Sequence, residues 1–401
     1  MSEWKKVKLG EICERVTSGG TPKANVSSYY NPPTIPWLKT KEVNYCRITE
    51  TENYISEEGL KNSSAKLISP NSVIIAMYGQ GDTAGRIAIN KIPLATNQAC
   101  CNLTIDKSKA DYEFIYYQLC TLYDKLVSLK AGAAQPNLNA RIIKNLEIIM
   151  PSLPIQHRIA SILSRYDSLI ENYQKQIKLL EEAAQRLYKE WFIDLHFPGH
   201  ENTNIIDGVP EGWEKKKVNS IIELQSGFAF KSSTFDDNGT YKIVTIKNVK
   251  DGAFDGDNVS KIVAIPDKMP KHCILADGDI LLSLTGNVGR VCIVNGKSYL
   301  LNQRVAKLAT GFKAFTYCLF RSRDMFIEVN NLANGAAQQN VSPIRIGEMK
   351  ILLPNSELLQ EFESIVFKSI ARIISLQSQL RLLTEARDRL LPKLISGEIT
   401  V

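Results

Sequence analysis

The chain has 401 residues, of which 44% are hydrophobic and 23% are charged, and its formal net charge is +7. This length allows two ordinary domains, each with its own buried core, and the composition is typical of a globular protein. No apolar run approaches the roughly 18 residues of a membrane span, and no apolar block with a cleavage site follows Met1, so we exclude a membrane protein and expect a cytoplasmic one.

Residues 1–151 are predicted to form a first domain of the α+β class. Short β-like runs, among them SVIIAMYG at residues 72–79, precede a helical stretch from Asp111 to Lys130. Gly132 could end this helix in a left-handed turn, and it begins the segment GAAQPNLN. A further short strand is predicted to end at Pro151.

Residues 152–195 are predicted to form one long helix. Its apolar residues are spaced alternately by four and three, which is the a/d pattern of a coiled coil. The positions are Ile159, Leu163, Tyr166, Ile170, Tyr173, Ile177, Leu180, Ala184, Leu187 and Trp191. Residues 196–212, which follow, are rich in Gly, Pro, Asn and Asp and are predicted to be a linker.

Residues 213–401 repeat the same order of elements. Three segments of the first copy correspond to segments of the second: WKKVKLGEI to WEKKKVNSI, GDTAGRIAI to TGNVGRVCI, and GAAQPNLN to GAAQQNVS. The offset is 204 (289 − 85) for the second pair and 203 (335 − 132) for the third. We therefore expect a second domain over residues 213–353, with a helical stretch from Ala314 to Leu332, and a second long helix over residues 354–401.

The second long helix keeps the register of the first. Adding 203 to each ladder position gives Phe362, Val366, Ser369, Ile373, Leu376, Leu380, Leu383, Arg387, Leu390 and Leu394. Only Ser369 and Arg387 in this set are polar. A helix packed on its own domain also carries an apolar stripe, but ten positions in heptad phase, found twice, favour two long helices packed together.

The sequence lacks the motifs of a catalytic centre. NPPT from Asn31 resembles part of the motif with which adenine-N6 methyltransferases hold a flipped base, but Thr34 stands where an aromatic residue is needed, and no Gly-rich cofactor loop precedes it. The GKS at residues 296–298 lacks the glycine that a phosphate-binding loop requires at Val291. The four histidines are dispersed, so no metal site is predicted. These observations indicate a binding protein.

Several repeated motifs together resemble the specificity subunit of type I restriction-modification systems. They are two Gly-Arg turns, two Asn-Gln pairs, two GAAQ segments, LPIQHRIASIL, LYKEWF and LLPKLISGEI. The resemblance covers essentially the whole chain. Its specificity lies in the order and duplication of the motifs.

The resemblance implies an α+β fold of two tandem, pseudo-symmetric target-recognition domains joined by two long antiparallel coiled-coil helices. Each domain would read one half of a split double-stranded DNA sequence, and the apolar ladder of the helices would set the spacing between the half-sites. The resemblance also implies a chain without a catalytic centre or cofactor of its own. Its partners would be two methyltransferase subunits that use S-adenosylmethionine and, in the full complex, restriction (motor-nuclease) subunits that use ATP and magnesium.

Candidate DNA contacts fall into corresponding segments of the two copies. They are Lys39, Thr40, Lys41, Tyr78, Gln80, Arg86, Asn97, Gln98, Gln135 and Asn137 in the first copy, and Lys247, Asn248, Thr285, Asn287, Arg290, Asn302, Gln303, Arg304, Gln338 and Asn340 in the second. The lysines offer donors to phosphates or base edges, although exposed lysines are common in any protein. Arg86 and Arg290 could reach guanine or phosphate, or could stabilise a β-hairpin.

The amide side chains are open to two interpretations. Asn and Gln suit bidentate contacts with adenine, but the presence of the Asn-Gln pair in both copies favours a shared structural or phosphate-binding role. Gln135 and Gln338 are expected to cap the end of a helix. Asn137 and Asn340 lie in diverging segments and are candidates for direct contact with DNA.

Two other classes of protein compete with this interpretation. A fused methyltransferase with unrecognised motifs would transfer methyl groups without a partner. A coiled-coil scaffold would show no salt-dependent binding to duplex DNA.

Overall fold

The computed structural model describes residues 4–130, 137–257, 259–333 and 339–401. The chain divides into two compact units: unit 1 is Met1–Leu169 with Thr384–Val401, and unit 2 is Ile170–Leu383. The boundaries between these units lie after residues 169 and 383, whereas the domains predicted from the sequence end at residues 151 and 353. The domain limits drawn from the sequence follow the repeats, and they stay a prediction.

The first repeat supplies eleven of the described strands and five of the described α-helices. The strands are β1 (Lys5–Lys8), β2 (Cys13–Ser18), β3 (Ile35–Leu38), β4 (Cys46–Ile48), β5 (Tyr54–Ile55), β6 (Leu67–Ile68), β7 (Val73–Ala76), β8 (Ile87–Asn90), β9 (Leu94–Thr96), β10 (Cys100–Ile105) and β11 (Glu147–Met150). The helices are α1 (Glu57–Lys61), α2 (Tyr112–Cys120), α3 (Tyr123–Ser128), α4 (Ala140–Lys144) and α5 (Leu153–Tyr188), and α5 continues past the limit of unit 1.

The strands of unit 1 form a five-stranded sheet in the order β2-β10-β7-β8-β4, a four-stranded sheet in the order β5-β3-β9-β6, and the pair β1-β11. Strand β7 is apolar at every position because both of its faces are buried. Val73 and Ile75 pack into one core, whereas Ile74 and Ala76 pack into another. Since side chains alternate between the two faces of a strand, a strand covered on both faces has no polar position.

The predicted linker supplies the first two of the remaining described strands, and the second repeat supplies the later strands and α-helices. The strands are β12 (Ile205–Ile206), β13 (Val209–Pro210), β14 (Glu214–Lys217), β15 (Ile222–Ser226), β16 (Tyr241–Val244), β17 (Ser260–Ile262), β18 (Ile274–Leu275), β19 (Ile280–Ser283), β20 (Val291–Ile293), β21 (Tyr299–Leu301), β22 (Val305–Thr310) and β23 (Lys350–Leu353). The helices are α6 (Lys313–Arg321), α7 (Arg323–Ala333), α8 (Pro343–Gly347) and α9 (Ser356–Ser396).

The sheets of unit 2 repeat those of unit 1. Their orders are β15-β22-β19-β20, β17-β16-β21-β18 and β14-β23. Each strand corresponds in sequence to the strand at the same place in unit 1, and β4 is the strand of these unit 1 sheets that has no counterpart. The duplicated sequence therefore folds twice into the same strand order.

Each helical stretch that the sequence predicts as continuous is broken in the structure. In the first copy, α2 ends at Cys120, and the Thr121 hydroxyl donates to the carbonyl of Gln118 at 2.7 Å. In the second copy, Ser322 has an extended backbone (φ −67°, ψ 147°), and its side-chain oxygen accepts from the N–H of Met325 at 3.3 Å. Ser and Thr compete for backbone hydrogen bonds in this way, which explains the breaks.

The two long helices pack with the start of one beside the end of the other. In unit 1, Ile159 and Leu163 of α5 share a buried core with Leu394 of α9. In unit 2, Trp191, in the π-helical turn Lys189–Ile193 that follows α5, lies 5.7 Å from Phe362 of α9 between ring centroids. All twenty ladder positions are buried or half-buried, as antiparallel coiled-coil packing requires. Within the described ranges, no helix combines the length and the apolar character needed to cross a membrane.

The predicted linker, residues 196–212, contains the short hairpin β12–β13. Phe197 and Trp213, at its two ends, are buried with their rings 5.0 Å apart. The segment is thus anchored at both ends in the core of unit 2.

The helices α2 and α6 begin in different ways, although they occupy equivalent places. In unit 1, the Asp111 side chain accepts from the N–H groups of Glu113 and Phe114 at 2.8 and 3.0 Å. In unit 2, Phe312 occupies the cap position and has no side-chain acceptor. The carboxylate of Glu363 on α9 accepts from the N–H groups of Ala314 and Phe315 instead, at 2.9 and 3.2 Å. A distant residue therefore replaces a missing local cap.

A buried carboxylate on α5 joins three parts of unit 1. Asp167 accepts from Arg47 of β4 at 2.9 Å, from Tyr117 of α2 at 2.6 Å and from Arg387 of α9 at 2.7 Å. The side chains of Arg47 and Asp167 are each 7% exposed. Burial alone would lower the pKa of Arg47, but Tyr117 and Asp167 raise it, so Arg47 remains charged.

Candidate DNA interface

Four sequence-predicted segments of unit 1 meet at one end of its sheets. The N–H of Asn97 donates to the carbonyl of Leu38 at 3.0 Å, directly before Lys39. The N–H of Met77 donates to Ala99 at 2.8 Å, and Leu138 donates to Met77 at 3.0 Å. We call this surface the first recognition edge and define it as residues 19–21, 39–41, 77–86, 97–99 and 137–138.

The same connections recur in unit 2. The N–H of Asn302 donates to Val244 at 3.1 Å, and the N–H of Leu284 donates to Arg304 at 3.0 Å. Val341 donates to Leu284 at 2.9 Å. We call this surface the second recognition edge and define it as residues 226–228, 245–248, 284–290, 302–304 and 339–341. The structure therefore brings the predicted segments together in both units.

Sequence reasoning missed the glycines that let these segments approach one another. A Cβ added to Gly19 would lie 2.2 Å from the carbonyl oxygen of Thr96, and one added to Gly227 would lie 2.3 Å from that of Asn302. Both glycines must therefore lack a side chain. The repeated dipeptide Ser-Gly at residues 18–19 and 226–227 was the available signal. Thr21, also missed, donates to the Gln98 side chain.

The lysines of the first recognition edge are engaged within the chain. The Lys39 ammonium donates to Asn53 Oδ1 at 2.9 Å and lies 5.1 Å from the centre of the Trp37 ring. Lys41 forms an ion pair with Glu52, whose hydrogen bond raises the pKa of Lys41. Thr40, between them, is buried.

The hairpin loops of the two edges differ in length. In unit 1, the hairpin β7–β8 closes with a 2.9 Å hydrogen bond from the N–H of Ala76 to Arg86. In unit 2, the hairpin β19–β20 closes with a 2.9 Å bond from Ser283 to Arg290. The paired residues are ten positions apart in the first case (86 − 76) and seven in the second (290 − 283), so the first loop is three residues longer. The two copies therefore differ in the length of this loop although they share the hairpin.

Arg86 is held by a carboxylate of its own loop. Its guanidinium lies 2.5 Å from Asp82, whose side chain is 75% exposed, whereas that of Arg86 is 22% exposed. The Tyr123 hydroxyl donates to the Asp82 carbonyl at 2.9 Å and fixes the loop. The hydrogen bond from Arg86 lowers the pKa of Asp82. Of the other predicted residues here, Tyr78 is half-buried and Gln80 is exposed.

The cations of the second recognition edge have no such partners. Lys247 and Arg304 are exposed, Arg290 is half-buried, and within the described part of the chain none of them lies in an ion pair with a carboxylate. Gln303 and Asn287 are also exposed. This edge therefore presents positive charge that the chain itself does not neutralise.

Two predicted contact residues of unit 2 are buried. Asn248 is 1% exposed; its side-chain oxygen accepts from the Thr245 N–H at 2.8 Å, and its side-chain amide donates to the Asp255 carbonyl at 2.9 Å. Thr285 is 6% exposed and donates to Asn340 at 2.8 Å. These bonds favour a structural role for Asn248 and Thr285 over the predicted direct contact with DNA.

The amide pairs also make contacts within the chain. Asn97 Oδ1 accepts from the Cys100 thiol at 3.3 Å, and Asn302 Oδ1 accepts from the N–H of Arg304 at 3.4 Å. Both fit the structural interpretation, whereas Gln98 is exposed.

Gln135 and Gln338 lie outside the described residues. Their neighbours Asn137 and Asn340 are described, half-buried and exposed respectively, at the recognition edges. Across the described ranges, no group of three or more His, Cys, Asp or Glu side chains is placed to hold a metal ion.

The sequence matches the family model described as the type I restriction modification DNA specificity domain over residues 1–182 and 210–383. The two matched regions contain both recognition edges, one in each region.

Two relatives and a solved structure agree with this match. The chain is 30% identical to the type I restriction enzyme MjaIX specificity subunit of Methanocaldococcus jannaschii, over 100% of this chain and 94% of that protein. It is 28% identical to the EcoR124I/EcoR124II specificity subunit of Escherichia coli, over 49% of this chain and 48% of that protein. The crystal structure of a type I restriction-modification S subunit from M. genitalium has the same fold, with a TM-score of 0.66 at 18% identity over 98% of this chain and 96% of that one. The chain therefore belongs to the family of type I restriction-modification DNA specificity subunits.

Proposed function

We propose that this chain reads a bipartite DNA sequence, with each recognition edge contacting one half-site. The observation that carries the proposal is the assembly of the same segments twice, on the same strand order, with loops that differ between the two copies. A shared framework with divergent loops is what two readers of different sequences need. Exposed or half-buried donors such as Arg290, Arg304 and Gln98 suit contacts with phosphates and base edges.

The long helices would set the distance between the half-sites. Helix α5 has 36 residues and α9 has 41. At about 1.5 Å per residue they are roughly 54 and 62 Å long, whereas one turn of DNA is roughly 34 Å. Their length is sufficient for a spacer between readers of two separate half-sites.

Membership of the family also indicates which proteins this chain binds. The relatives named above are subunits of type I restriction enzymes. We infer that this chain recruits methyltransferase subunits, which use S-adenosylmethionine to modify adenine, and restriction subunits, which use ATP and magnesium. The chain itself would then contribute recognition and no catalytic step.

Reconstitution with its methyltransferase partner tests this function. Sequencing of methylated adenines should show two fixed half-sites at a constant separation, and the purified chain alone should leave DNA unmethylated. Methyl transfer by the chain alone would establish the fused methyltransferase instead. A chain that neither binds duplex DNA in a salt-dependent manner nor directs methylation would be the coiled-coil scaffold.

A further inference from the structure

The two recognition edges differ in how their cations are used. In the first, Lys41 is paired with Glu52, Arg86 is paired with Asp82, and Lys39 donates to the Asn53 amide. In the second, the described residues place no carboxylate in an ion pair with Lys247, Arg290 or Arg304. Each edge has three predicted basic contact residues, so the edges differ in the partners of their cations and not in the number of cations.

This difference has an electrostatic consequence. When an unpaired lysine or arginine binds a DNA phosphate, counterions are released from the DNA, and their release favours binding. A cation already paired with a carboxylate must first give up that pair, and the uncovered carboxylate then repels the DNA backbone. The same number of basic residues therefore gives less salt-dependent binding at the first edge than at the second.

Asp82 has no acidic counterpart in the second recognition edge. It lies between Ala76 and Arg86, in the loop that is three residues longer than its counterpart (10 against 7 positions between the paired residues). When the two loops are aligned at their Gly-Arg turns, Gly286 stands where unit 1 has Asp82 (82 + 204). The second loop thus has no carboxylate at the position from which Asp82 holds Arg86.

We propose that Asp82 and Glu52 act as internal competitors for DNA at the first recognition edge, so that the second edge supplies most of the salt-dependent affinity. This inference rests on the proposed function, because it assumes that both edges contact DNA. The first edge then binds strongly only where a half-site offers acceptors that match the geometry of Arg86 and Lys41 better than the carboxylates do. The carboxylates weaken non-specific binding by this edge.

The experiment measures binding of the full chain, assembled with its methyltransferase partner, to its bipartite duplex over a range of salt concentrations. Asp82→Asn and Glu52→Gln keep the size of each side chain and remove its charge. We expect each variant to bind about two- to fivefold more tightly and the slope of log K against log salt to steepen by about one. The affinity of each variant for an unrelated duplex should rise by at least the same factor as its affinity for the cognate site.

Glu147→Gln is the matched control. Glu147 is also a unit 1 carboxylate, paired with Lys6 at 2.5 Å, but it lies on β11 beside β1, beyond the opposite end of β2 from the first recognition edge. Glu147→Gln removes one negative charge, as the two test variants do, so any general effect of net charge on DNA binding appears in this control as well. Adding Lys41→Gln to Glu52→Gln should cancel the gain, because the freed cation is then absent.

The possible outcomes separate this inference from the proposed function. If Asp82→Asn and Glu52→Gln bind DNA no more tightly than Glu147→Gln, the carboxylates do not compete with DNA and the inference is wrong, although recognition by the native chain stands. If the native complex shows no sequence-specific binding at all, the proposed function fails as well. Thermal unfolding of each variant verifies that the fold is intact.

Discussion

Arg387 shows how one polar residue can specify the pairing of two helices. It occupies a ladder position that is otherwise apolar, and it donates to Asp167 of α5 at 2.7 Å. A single polar contact within an apolar seam fixes register, because a shift of one helix along the other would leave the charge buried without a partner. Of the two polar ladder positions in α9, Arg387 is therefore the one that we expect to help set the register of the helix pair.

Asp167→Ala should strongly destabilise unit 1. The substitution leaves Arg47 and Arg387 without their shared carboxylate in a poorly solvated place, which costs about 3–5 kcal/mol for a buried pair. Asp388, the exposed partner of Arg387, supplies the control, since Asp388→Ala should cost less than about 1 kcal/mol. Denaturant unfolding measures both. Equal losses for the two variants would contradict the structural role given to Asp167.

Arg290→Ala should weaken duplex binding more than Arg86→Ala does. We expect a loss of about 1–3 kcal/mol for Arg290 if it makes a bidentate base contact, and a smaller loss for Arg86, which must leave Asp82 to reach DNA. Competition with altered half-sites identifies the kind of contact. If the arginine contacts a base, the variant loses the preference for that base at one position of the half-site. If it contacts a phosphate, the variant binds all sequences more weakly, and the slope of log K against log salt becomes less steep by about one. Unchanged binding by both variants would leave both arginines with a structural role.

At the scale of elements, the start of α6 depends on a residue that no local pattern identifies. Glu363→Ala removes the acceptor for the N–H groups of Ala314 and Phe315 and should cost unit 2 about 1–2 kcal/mol. Asp111→Ala in unit 1 is the matched variant and should cost a similar amount through α2. Thermal or denaturant unfolding provides the comparison. If Glu363→Ala left the free energy of unfolding unchanged, water would be capping the start of α6 equally well.

The elements differ in how far the sequence determines them. The heptad ladder and the apolar runs of β7 and β19 were predictable because burial imposes a period that is visible in single residues. The breaks at Thr121 and Ser322 were not, since they depend on side-chain bonds to the backbone that compete with a helix of good periodicity. The cap from Glu363 required knowledge of which helix packs beside α6.

The candidate DNA interface was predictable in its segments and unpredictable in its details. Repetition identified the Gly-Arg turns and the Asn-Gln pairs, which the structure brings together. The burial of Asn248 and the pairing of Arg86 with Asp82 depend on three-dimensional neighbours, so the sequence did not separate exposed donors from engaged ones.

At the scale of the whole molecule, the helices can be lengthened together. Adding one heptad after Tyr173 and one after Leu380 preserves the ladder in both helices. Seven residues add about 10 Å, or about three base pairs, and three base pairs rotate the groove by roughly 100°. We expect the variant to recognise the same half-sites across a longer spacer, or to lose tight binding, without a change in the bases of either half-site.

Selection of bound sequences from a library with variable spacers measures this effect. Each half-site provides its own internal control, because its base preference should match that of the native chain. Full affinity at the original spacer, or new bases within a half-site, would show that the helices do not set the distance.

The division of unit 1 between distant parts of the chain also determines the order in which the protein can mature during synthesis. Its last segment, Thr384–Val401, supplies Arg387 for Asp167 and places Leu394 in the core beside Ile159. Between the two parts of unit 1 the ribosome must make the 214 residues of Ile170–Leu383 (383 − 169), which takes roughly 10–40 s at about 5–20 residues per second. Until that segment is made, Ile159 and Leu163 of α5 lack their contact with Leu394. Unit 1 is thus completed only after all of unit 2 has been made, and termination before Thr384 would remove part of the core of unit 1 even though its sheets had been made in full.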